Sequence, residues 1–218
     1  MLVDNDANVM AVGEHAAGWR SVPDLVFLKM GTGLGAGLIL DGRLYRGALG
    51  AAGDLGHVQV PGYDDVVCMC GNRGCVGMVA SGLGLTMRLT DLGLATDSAQ
   101  GVVAMVRNGV PDAMRLVRDG GRAVGSVLAG MVNFLNPSLI VVGGVLAESG
   151  EHLLAGIREG VYGRSTALAT RDLRIATSTA GVRAGIVGAS TMAVDHVLAP
   201  DAVDRMLSSG PATAVATA

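Results

Sequence analysis

The cysteines of this 218-residue chain are confined to one short segment that a histidine precedes, which gives a single set of candidate metal ligands: His57, Cys68, Cys70 and Cys75. Thiolates and an imidazole are typical ligands of closed tetrahedral zinc sites. The Cys-x-Cys spacing is tight, and Gly71 and Gly74 would let the loop fold back so that the last cysteine completes the set. The alternative is three free thiols in a flexible loop. The clustering favours zinc, and four protein ligands predict a structural site.

Composition excludes several classes of protein. Hydrophobic residues make up 50% of the chain and charged residues 16%, which is the opposite of a disordered sequence. A net charge of −3 and only 3% aromatic residues argue against nucleic-acid binding by this segment. Three cysteines are too few for a secreted disulfide scaffold. The 34 glycines show no three-residue period, so a collagen-like chain is excluded as well.

One uncharged stretch, residues 123–147, is long enough to cross a bilayer. Asn136 and Pro137 interrupt it near the middle. We therefore predict a buried helix that ends near Leu135, an Asn-Pro turn and a buried strand over 139–142. The chain begins without a charged segment followed by an apolar one, so no signal peptide is indicated. These features predict a cytoplasmic protein without a membrane partner.

The pattern along the chain predicts an α/β layer fold. Residues 1–3 are predicted to be the end of a strand. Further strands are predicted at 25–30, 38–40, 43–46, 58–60, 139–142 and 173–177. Helices are predicted at 7–17, 80–91, 97–107, 111–135, 148–162 and 183–198. Asp41 and Gly42 form a typical hairpin turn between two of the strands. The glycines within 111–135 weaken a helix, so we expect them to permit close packing.

A glycine turn lies between the strands that begin the sheet. Gly31, Thr32 and Gly33 would bring backbone amides and one hydroxyl towards an anion. Because no helix follows directly, the turn is neither a Walker A loop nor a Rossmann fingerprint. A tight hairpin without any ligand explains the same residues about as well.

Two other segments have two interpretations each. Residues 4–8 read Asp-Asn-Asp-Ala-Asn at a strand-to-helix turn, where a carboxylate could accept a proton from a substrate hydroxyl. A helix N-cap with Asx-turn residues explains this segment too, and the local sequence favours it. Residues 141–144 read Val-Val-Gly-Gly, which suits either a nucleotide-contacting turn or a compact connection.

Taken together and in this order, these patterns, with Gly-Asp-Leu-Gly-His at 53–57, resemble the ROK family (repressor, open reading frame, kinase) of bacterial sugar kinases and sugar-responsive repressors. The resemblance runs from Asn5 to about Asp204 and implies the actin-like ATPase (ribonuclease-H-like) α/β fold, mainly its C-terminal lobe. It implies the end of the N-terminal lobe or an interlobe segment over 1–22, and the C-terminal lobe over 23–205 with a zinc loop at 57–75. Residues 206–218 are expected to be a disordered tail.

The resemblance also implies roles for individual residues. Asp6 would be the general base that takes the proton from the sugar hydroxyl attacking the γ-phosphate, while Asn5 and Asp54 would bind sugar hydroxyls. His57 would hold zinc with one ring nitrogen and face the sugar with the other. The nucleotide would contact Gly31, Thr32 and Gly33 with its phosphates, and Gly143 and Gly144 with its adenosine.

The chain departs from the family pattern at the sugar site. Asp54 stands where the family has a glutamate, one methylene longer, and Gly77 stands where the family has a second glutamate. Losing a hydrogen-bond partner for a sugar hydroxyl costs about 1–3 kcal/mol. No Asp-x-Gly-Gly-Thr phosphate loop precedes Asp4, and the chain contains no helix-turn-helix ahead of the ROK motifs.

The leading hypothesis is therefore the sugar-sensing domain of a ROK transcriptional regulator, close to the actinobacterial branch, with weak or absent kinase activity. Its expected ligands are a sugar or amino sugar and a structural Zn²⁺, with ATP and Mg²⁺ only if it is an active kinase. The alternatives are an ATP-dependent hexose or amino-sugar kinase with Asp6 as base, and an inactive remnant of a longer protein. We expect a homodimer or homotetramer with a contact at 111–135, and DNA binding only through an N-terminal domain absent from this chain.

Overall fold

The computed structural model describes residues 1–208, which form one mixed five-stranded sheet covered by helices on both faces. The strands are β1 (Leu25–Met30), β2 (Leu34–Leu40), β3 (Arg43–Tyr45), β4 (Leu139–Gly143) and β5 (Arg174–Thr177). Their order is β3-β2-β1-β4-β5; β1, β2 and β3 pair antiparallel, and β1, β4 and β5 pair parallel. Asp41 and Gly42 both have positive φ in the β2–β3 turn, as a two-residue hairpin requires.

Within residues 1–208, one helix precedes β1, four lie between β3 and β4, two lie between β4 and β5, and two follow β5. The helices are α1 (Asp6–Gly18), α2 (Val76–Ala80), α3 (Gly82–Asp91), α4 (Ala99–Arg107), α5 (Pro111–Leu135), α6 (Glu151–Tyr162), α7 (Ala167–Thr170), α8 (Ala184–Val197) and α9 (Pro200–Ser208). Short 3₁₀ turns occupy Leu55–His57, Val145–Ser149 and Gly181–Arg183. Two buried cores result, because alternate residues of a strand face opposite sides of the sheet. Val26 and Leu28 pack towards the side of α2 to α6, whereas Leu25 and Phe27 pack towards α1.

Glycines bring two pairs of helices into direct backbone contact. A Cβ atom at Gly13 of α1 would lie 1.9 Å from the carbonyl oxygen of Ala184, and one at Gly188 of α8 would lie 1.8 Å from that of Val9. On the other face of the sheet, a Cβ at Gly156 of α6 would lie 2.2 Å from the carbonyl oxygen of Arg118 in α5. Within α5, a Cβ at Gly121 would lie 2.6 Å from the carbonyl oxygen of Leu153, and one at Gly125 would lie 2.4 Å from that of Ile157. The close packing predicted for the glycines of 111–135 is therefore confirmed at these two positions, whereas no atom lies within 4 Å of a Cβ at Gly130.

A buried carboxylate ties α1 to the segment that follows β5. Glu14 is fully buried, and both of its oxygens accept hydrogen bonds from this segment. Its partners are Ser178 Oγ at 2.6 Å, Thr179 N at 2.6 Å, Thr179 Oγ1 at 2.7 Å, Ala180 N at 3.1 Å and Trp19 Nε1 at 3.1 Å. Burial opposes ionisation, but these hydrogen bonds outweigh it and keep the pKa of Glu14 below its usual value.

The predicted interruption of the uncharged stretch is confirmed. Helix α5 ends at Leu135, Asn136 caps it with a φ of 48°, and β4 begins at Leu139. Within residues 1–208, no helix combines the length and the apolar character that crossing a membrane requires.

Several predicted elements differ from the structure. Residues 1–3 are exposed and do not pair as a strand, and residues 58–60 contribute one isolated bridge, between Gln59 and Cys75. The helix predicted over 80–91 corresponds to α3, which Ser81 caps by accepting a hydrogen bond from the Gly84 amide, whereas α2, which ends at Ala80, was not predicted. Helices α7 and α9 were not predicted, and the tail predicted over 206–218 lies outside the described residues except for 206–208, which end α9.

Candidate functional site

A polar cavity of about 400 Å³ lies at the start of α1, beside the carboxyl end of β1. It is lined by Asn5, Asp6, Lys29 and Asp54, together with small residues of β2 and of the loop at 50–53. Three of the residues expected to serve sugar binding or catalysis therefore come together, although they are far apart in the chain. The other expected site residues, His57, Gly31, Thr32, Gly143 and Gly144, are not in the lining, whereas Gly33 is.

The first turn of α1 is fixed by two side chains that precede it. Asn5 is the N-cap, and its Oδ1 accepts a hydrogen bond from the Ala7 amide at 2.9 Å. Asp4 accepts hydrogen bonds of 2.8 Å from the Asn5 amide, from Asn8 Nδ2 and from Arg46 Nε. Burial raises the pKa of Asp4, but these hydrogen bonds outweigh it, so that its pKa lies below the usual value. The capping interpretation of this segment is confirmed, and it leaves the neighbouring Asp6 free for another role.

Asp6 points into solvent at the cavity and pairs with Lys29. Its side chain is 67% exposed, and Lys29 Nζ donates a hydrogen bond to its Oδ2. Lys29 occupies the next-to-last position of β1, where it pairs with Gly35 on one side and Gly143 on the other. Lys29 was not among the predicted site residues. Its only signal in the sequence is that it is the single charged residue of an otherwise apolar strand, two residues before the glycine turn.

The loop before His57 is fixed on β2 by a glycine. Gly53 has a φ of 91°, and a Cβ atom there would lie 2.1 Å from the carbonyl oxygen of Ala36. The Ala36 amide in turn donates a 2.8 Å hydrogen bond to the carbonyl of Gly53. Because only glycine fits this position, the backbone of the loop lies directly on the strand and brings Asp54 to the rim of the cavity.

The glycine turn between β1 and β2 is attached to the start of α3. The Gly31 amide donates to the carbonyl of Gly33 at 3.0 Å, which closes the turn. The carbonyls of Gly31 and Thr32 accept hydrogen bonds of 2.7 Å and 3.1 Å from the amides of Gly82 and Leu83. The tight-hairpin interpretation therefore describes the geometry, and contact with phosphates stays a prediction.

The glycine pair after β4 is a compact connection. A Cβ atom at Gly144 would lie 2.4 Å from the carbonyl oxygen of Met30, and one at Gly143 would lie 2.6 Å from the ring of Phe27. Both glycines are thus required by packing against β1. Since this requirement accounts for them without a ligand, contact with adenosine also stays a prediction.

The four candidate metal ligands converge on one point. His57 Nδ1 lies 3.6 Å from Cys68 Sγ, the sulfur atoms of Cys70 and Cys75 are 3.7 Å apart, and all four ligand atoms lie within 4.8 Å of one another. A tetrahedral zinc ion with Zn–S bonds of about 2.3 Å separates two sulfur ligands by about 3.8 Å. Gly71 and Gly74, with φ of 91° and 69°, turn the loop back as expected. The donor set and its spacing fit Zn²⁺.

The thiols of this cluster differ in how readily they ionise. A backbone hydrogen bond from Asn72 lowers the pKa of Cys70 to about 7, whereas burial raises the pKa of Cys75 to about 12. Cys68 and Cys75 are buried and Cys70 is exposed. Thiolates this close together repel one another. A divalent cation at the centre would stabilise all three thiolates.

This domain is a lobe of the actin-like ATPase class, defined by the mixed sheet, the helices on both of its faces and the cavity at the carboxyl end of a parallel strand. ROK hexokinase from Thermus thermophilus has the same fold, with a TM-score of 0.73 and 29% identity over 88% of this chain and 65% of that one. The chain belongs to the ROK family, which matches residues 1–196. A ROK family transcriptional regulator homologous to the E. coli MLC protein is similar over 86% of this chain and 50% of its own, with a TM-score of 0.78 and 30% identity.

Curated relatives include both repressors and kinases. The xylose repressor of Caldicellulosiruptor bescii is 32% identical in an alignment 210 positions long that covers 90% of this chain and 52% of the repressor. The glucokinase of Streptomyces coelicolor is 31% identical in an alignment 217 positions long that covers 88% of this chain and 67% of the kinase. The chain therefore spans about half the length of the repressors that it matches.

Proposed function

We propose that this domain binds a sugar or amino sugar in the cavity at the start of α1 and serves as the effector-binding domain of a ROK transcriptional regulator. The observation that carries the proposal is the ion pair between Lys29 and Asp6 within that cavity. A general base must have a free carboxylate oxygen near the hydroxyl that it deprotonates. Here Lys29 Nζ donates to Oδ2 of the Asp6 carboxylate, so this oxygen is already engaged in an ion pair.

A second feature departs from the pattern that the resemblance implies for ROK kinases. Gly77 stands where the resemblance implies a glutamate, and it offers no acceptor to a sugar hydroxyl. A Cβ atom at Gly77 would lie 2.9 Å from the carbonyl oxygen of Gly56. The sugar contacts that the resemblance implies and that line the cavity are therefore Asn5 and Asp54.

A kinase is the alternative, and the position of Asp6 favours it. The Asp6 carboxylate is exposed at the cavity, and Gly33 of the neighbouring glycine turn lines the same cavity. In this case Gly31, Thr32 and Gly33 would contact the phosphates of ATP and Gly143 and Gly144 its adenosine, while Mg²⁺ would neutralise phosphate charge. A glucose- and AMPPNP-bound ROK glucokinase from Streptomyces griseus, 30% identical with a TM-score of 0.73, has a similar fold.

The remaining parts of the proposal concern the metal and the partners. His57, Cys68, Cys70 and Cys75 hold a structural Zn²⁺ that fixes the loop over 57–75. The protein forms a homodimer or homotetramer with a contact on α5, where Phe134 is 91% exposed. DNA binding belongs to a further N-terminal domain, in keeping with the similarity to repressors.

Calorimetric titration of the chain with D-xylose, D-glucose and N-acetyl-D-mannosamine tests the sensing function. We expect saturable binding of at least one of these sugars, and Asp54→Ala should weaken it by about tenfold or more, because a carboxylate acceptor is lost. Asp91→Asn, on the exposed surface of α3, is the matched control and should bind like the parent. Absence of binding by all three sugars contradicts the proposal.

The sensing function and the kinase function are distinguished by measuring ADP formation in the presence of ATP, Mg²⁺ and the sugar that binds. A sensing domain binds the sugar without forming ADP. Sugar-dependent ADP formation that Asp6→Asn abolishes would instead establish the kinase.

A further inference from the structure

One carboxylate joins the two walls of the polar cavity. Asp4 directly precedes Asn5 and Asp6, which line the cavity, and its own side chain is only 10% exposed. Its Oδ1 accepts hydrogen bonds of 2.8 Å from the Asn5 amide and from Asn8 Nδ2. Its Oδ2 accepts another of 2.8 Å from Arg46 Nε. One oxygen therefore holds the start of α1, while the other holds the residue that follows the β2–β3 hairpin.

Arg46 begins the loop that forms the opposite wall. It directly follows β3, and its carbonyl accepts a 3.1 Å hydrogen bond from the Ala52 amide. Residues 50–54 of this loop line the cavity, and Asp54 is among them. The backbone of Arg46 is thus bonded to the loop wall, while its guanidinium is bonded to the α1 wall. Both partners are charged at neutral pH, because the pKa of Asp4 lies below its usual value, so their hydrogen bond is charge-assisted.

We infer that Asp4 and Arg46 form a positioning pair that sets the width of the sugar cavity, because their ion pair fixes the loop carrying Asp54 relative to the first turn of α1. This inference rests on the proposed sugar site. A sugar can bond to both walls at once only at one separation, since hydrogen bonds between heavy atoms need distances of about 2.7–3.2 Å. Neither Asp4 nor Arg46 is part of the cavity lining, so the pair acts through the residues that it holds.

The experiment compares sugar affinities, measured by calorimetric titration, of the parent and of two variants that break the pair from opposite sides. Asp4→Asn keeps an oxygen for the start of α1 but turns an amide nitrogen towards Arg46, and Arg46→Met removes the donor. Whichever of D-xylose, D-glucose and N-acetyl-D-mannosamine the parent binds, each variant should bind it about fivefold or more weakly. Arg158→Met is the matched control, because it breaks an exposed 2.7 Å ion pair on α6, and it should bind like the parent.

Double-mutant cycles distinguish positioning from a general loss of stability. If the pair acts as a unit, Asp4→Asn combined with Arg46→Met binds sugar no more weakly than either single variant. In an Asp54→Ala background, the loss caused by Arg46→Met should shrink, because one of the groups that the pair positions is gone. A pair that only stabilised the fold would lower the unfolding temperature and leave the sugar affinity of the folded protein unchanged. That result, or additive losses of affinity, overturns the inference.

Failure of the underlying sugar proposal has a different signature. In that case the parent itself binds none of the three sugars, and the role of the pair in sugar binding fails with it. Failure of the inference alone leaves binding by the parent intact and both single variants equal to it. Hydrogen–deuterium exchange without sugar is an independent readout: amides of residues 47–54 should exchange faster in both variants than in the parent, and equal rates contradict the link between the walls.

Discussion

Lys29 Nζ and the carboxylate of Asp6, 23 positions apart in the chain, form an ion pair that joins the end of β1 to the first turn of α1. We expect this pair to contribute little to stability, because the Asp6 side chain is largely exposed. Lys29→Met should lower the free energy of unfolding by no more than about 1 kcal/mol. Urea unfolding of Lys29→Met, Asp6→Asn and the double variant measures the coupling, and a coupling well above that value would show that the pair is structural.

Glu14 should contribute much more to stability than the Lys29–Asp6 pair, because its carboxylate is buried and accepts five hydrogen bonds. In Glu14→Gln an amide group faces donors that it cannot all satisfy, so we expect a loss of about 2–4 kcal/mol in unfolding free energy. Urea unfolding at neutral pH measures it. Asp195→Asn, an exposed position on α8, is the control and should change stability by less than about 0.5 kcal/mol. A loss as small for Glu14→Gln as for the control would contradict the network.

The lowered pKa of Glu14 predicts that the fold loses stability in acid. The hydrogen bonds to Glu14 keep its pKa in the folded protein below the ordinary value of 4.5. Its contribution to stability is therefore complete above pH 4.5 and is lost as the pH falls from there through the folded-state pKa. Unfolding free energies measured between pH 7 and pH 3 should fall in this range, and the fall should be smaller in Glu14→Gln. An equal fall in both proteins would assign the acid sensitivity to other carboxylates.

The glycines between α1 and α8 give a sharp test of backbone contact. A methyl group at Gly188 would lie 1.8 Å from the carbonyl oxygen of Val9, so Gly188→Ala should destabilise the fold by about 3 kcal/mol or more. Gly185→Ala is the matched control on the same helix, since no atom lies within 4 Å of its added Cβ. The control should stabilise the fold by up to about 1 kcal/mol through helix propensity alone. Thermal and urea unfolding of both variants measure the contrast, and equal stabilities would contradict this packing.

Removal of the proposed zinc should loosen one loop and leave the sheet intact. Cys75→Ser replaces a buried ligand, and we expect it to reduce zinc content more than about tenfold by elemental analysis. Proteolytic cleavage should then become faster within 57–75, whereas the circular dichroism spectrum of the helices should change little, because only Val60 of this loop belongs to the buried main core, with Tyr63 packed against it. A variant that retains full zinc content would contradict the ligand assignment.

Much of the sheet was predictable from the sequence, because its strands are short apolar runs bounded by glycine or asparagine turns. Strand β1 was predicted with its observed bounds, and helix α5 likewise. Such elements depend on local apolar patterns, and these patterns indicate directly in the sequence which residues are buried. Helix α3 was predicted to begin two residues too early, because only the hydrogen bond that Ser81 Oγ accepts from the Gly84 amide shows where the helix starts.

The candidate site was predictable in part. The convergence of His57 with the cysteines follows from their proximity in sequence, and Asn5, Asp6 and Asp54 follow from the family resemblance. Lys29 was not predicted, because its partner is distant in the chain and the pairing depends on how α1 lies across β1. The contact between Gly77 and Gly56 was equally hidden, since a missing side chain gives no sequence signal of what fills its place.

The hydrogen bonds from Ser178, Thr179 and Ala180 to Glu14 also have a consequence for how the protein is made. Because 164 positions separate Glu14 from Ser178, a ribosome adds more than 160 residues after Glu14 before these donors exist. Until then the Glu14 carboxylate has to form its hydrogen bonds with water or with other groups. The contact that fixes α1 to the segment after β5 can therefore form only late in synthesis, and nascent chains that end before Ser178 would lack it.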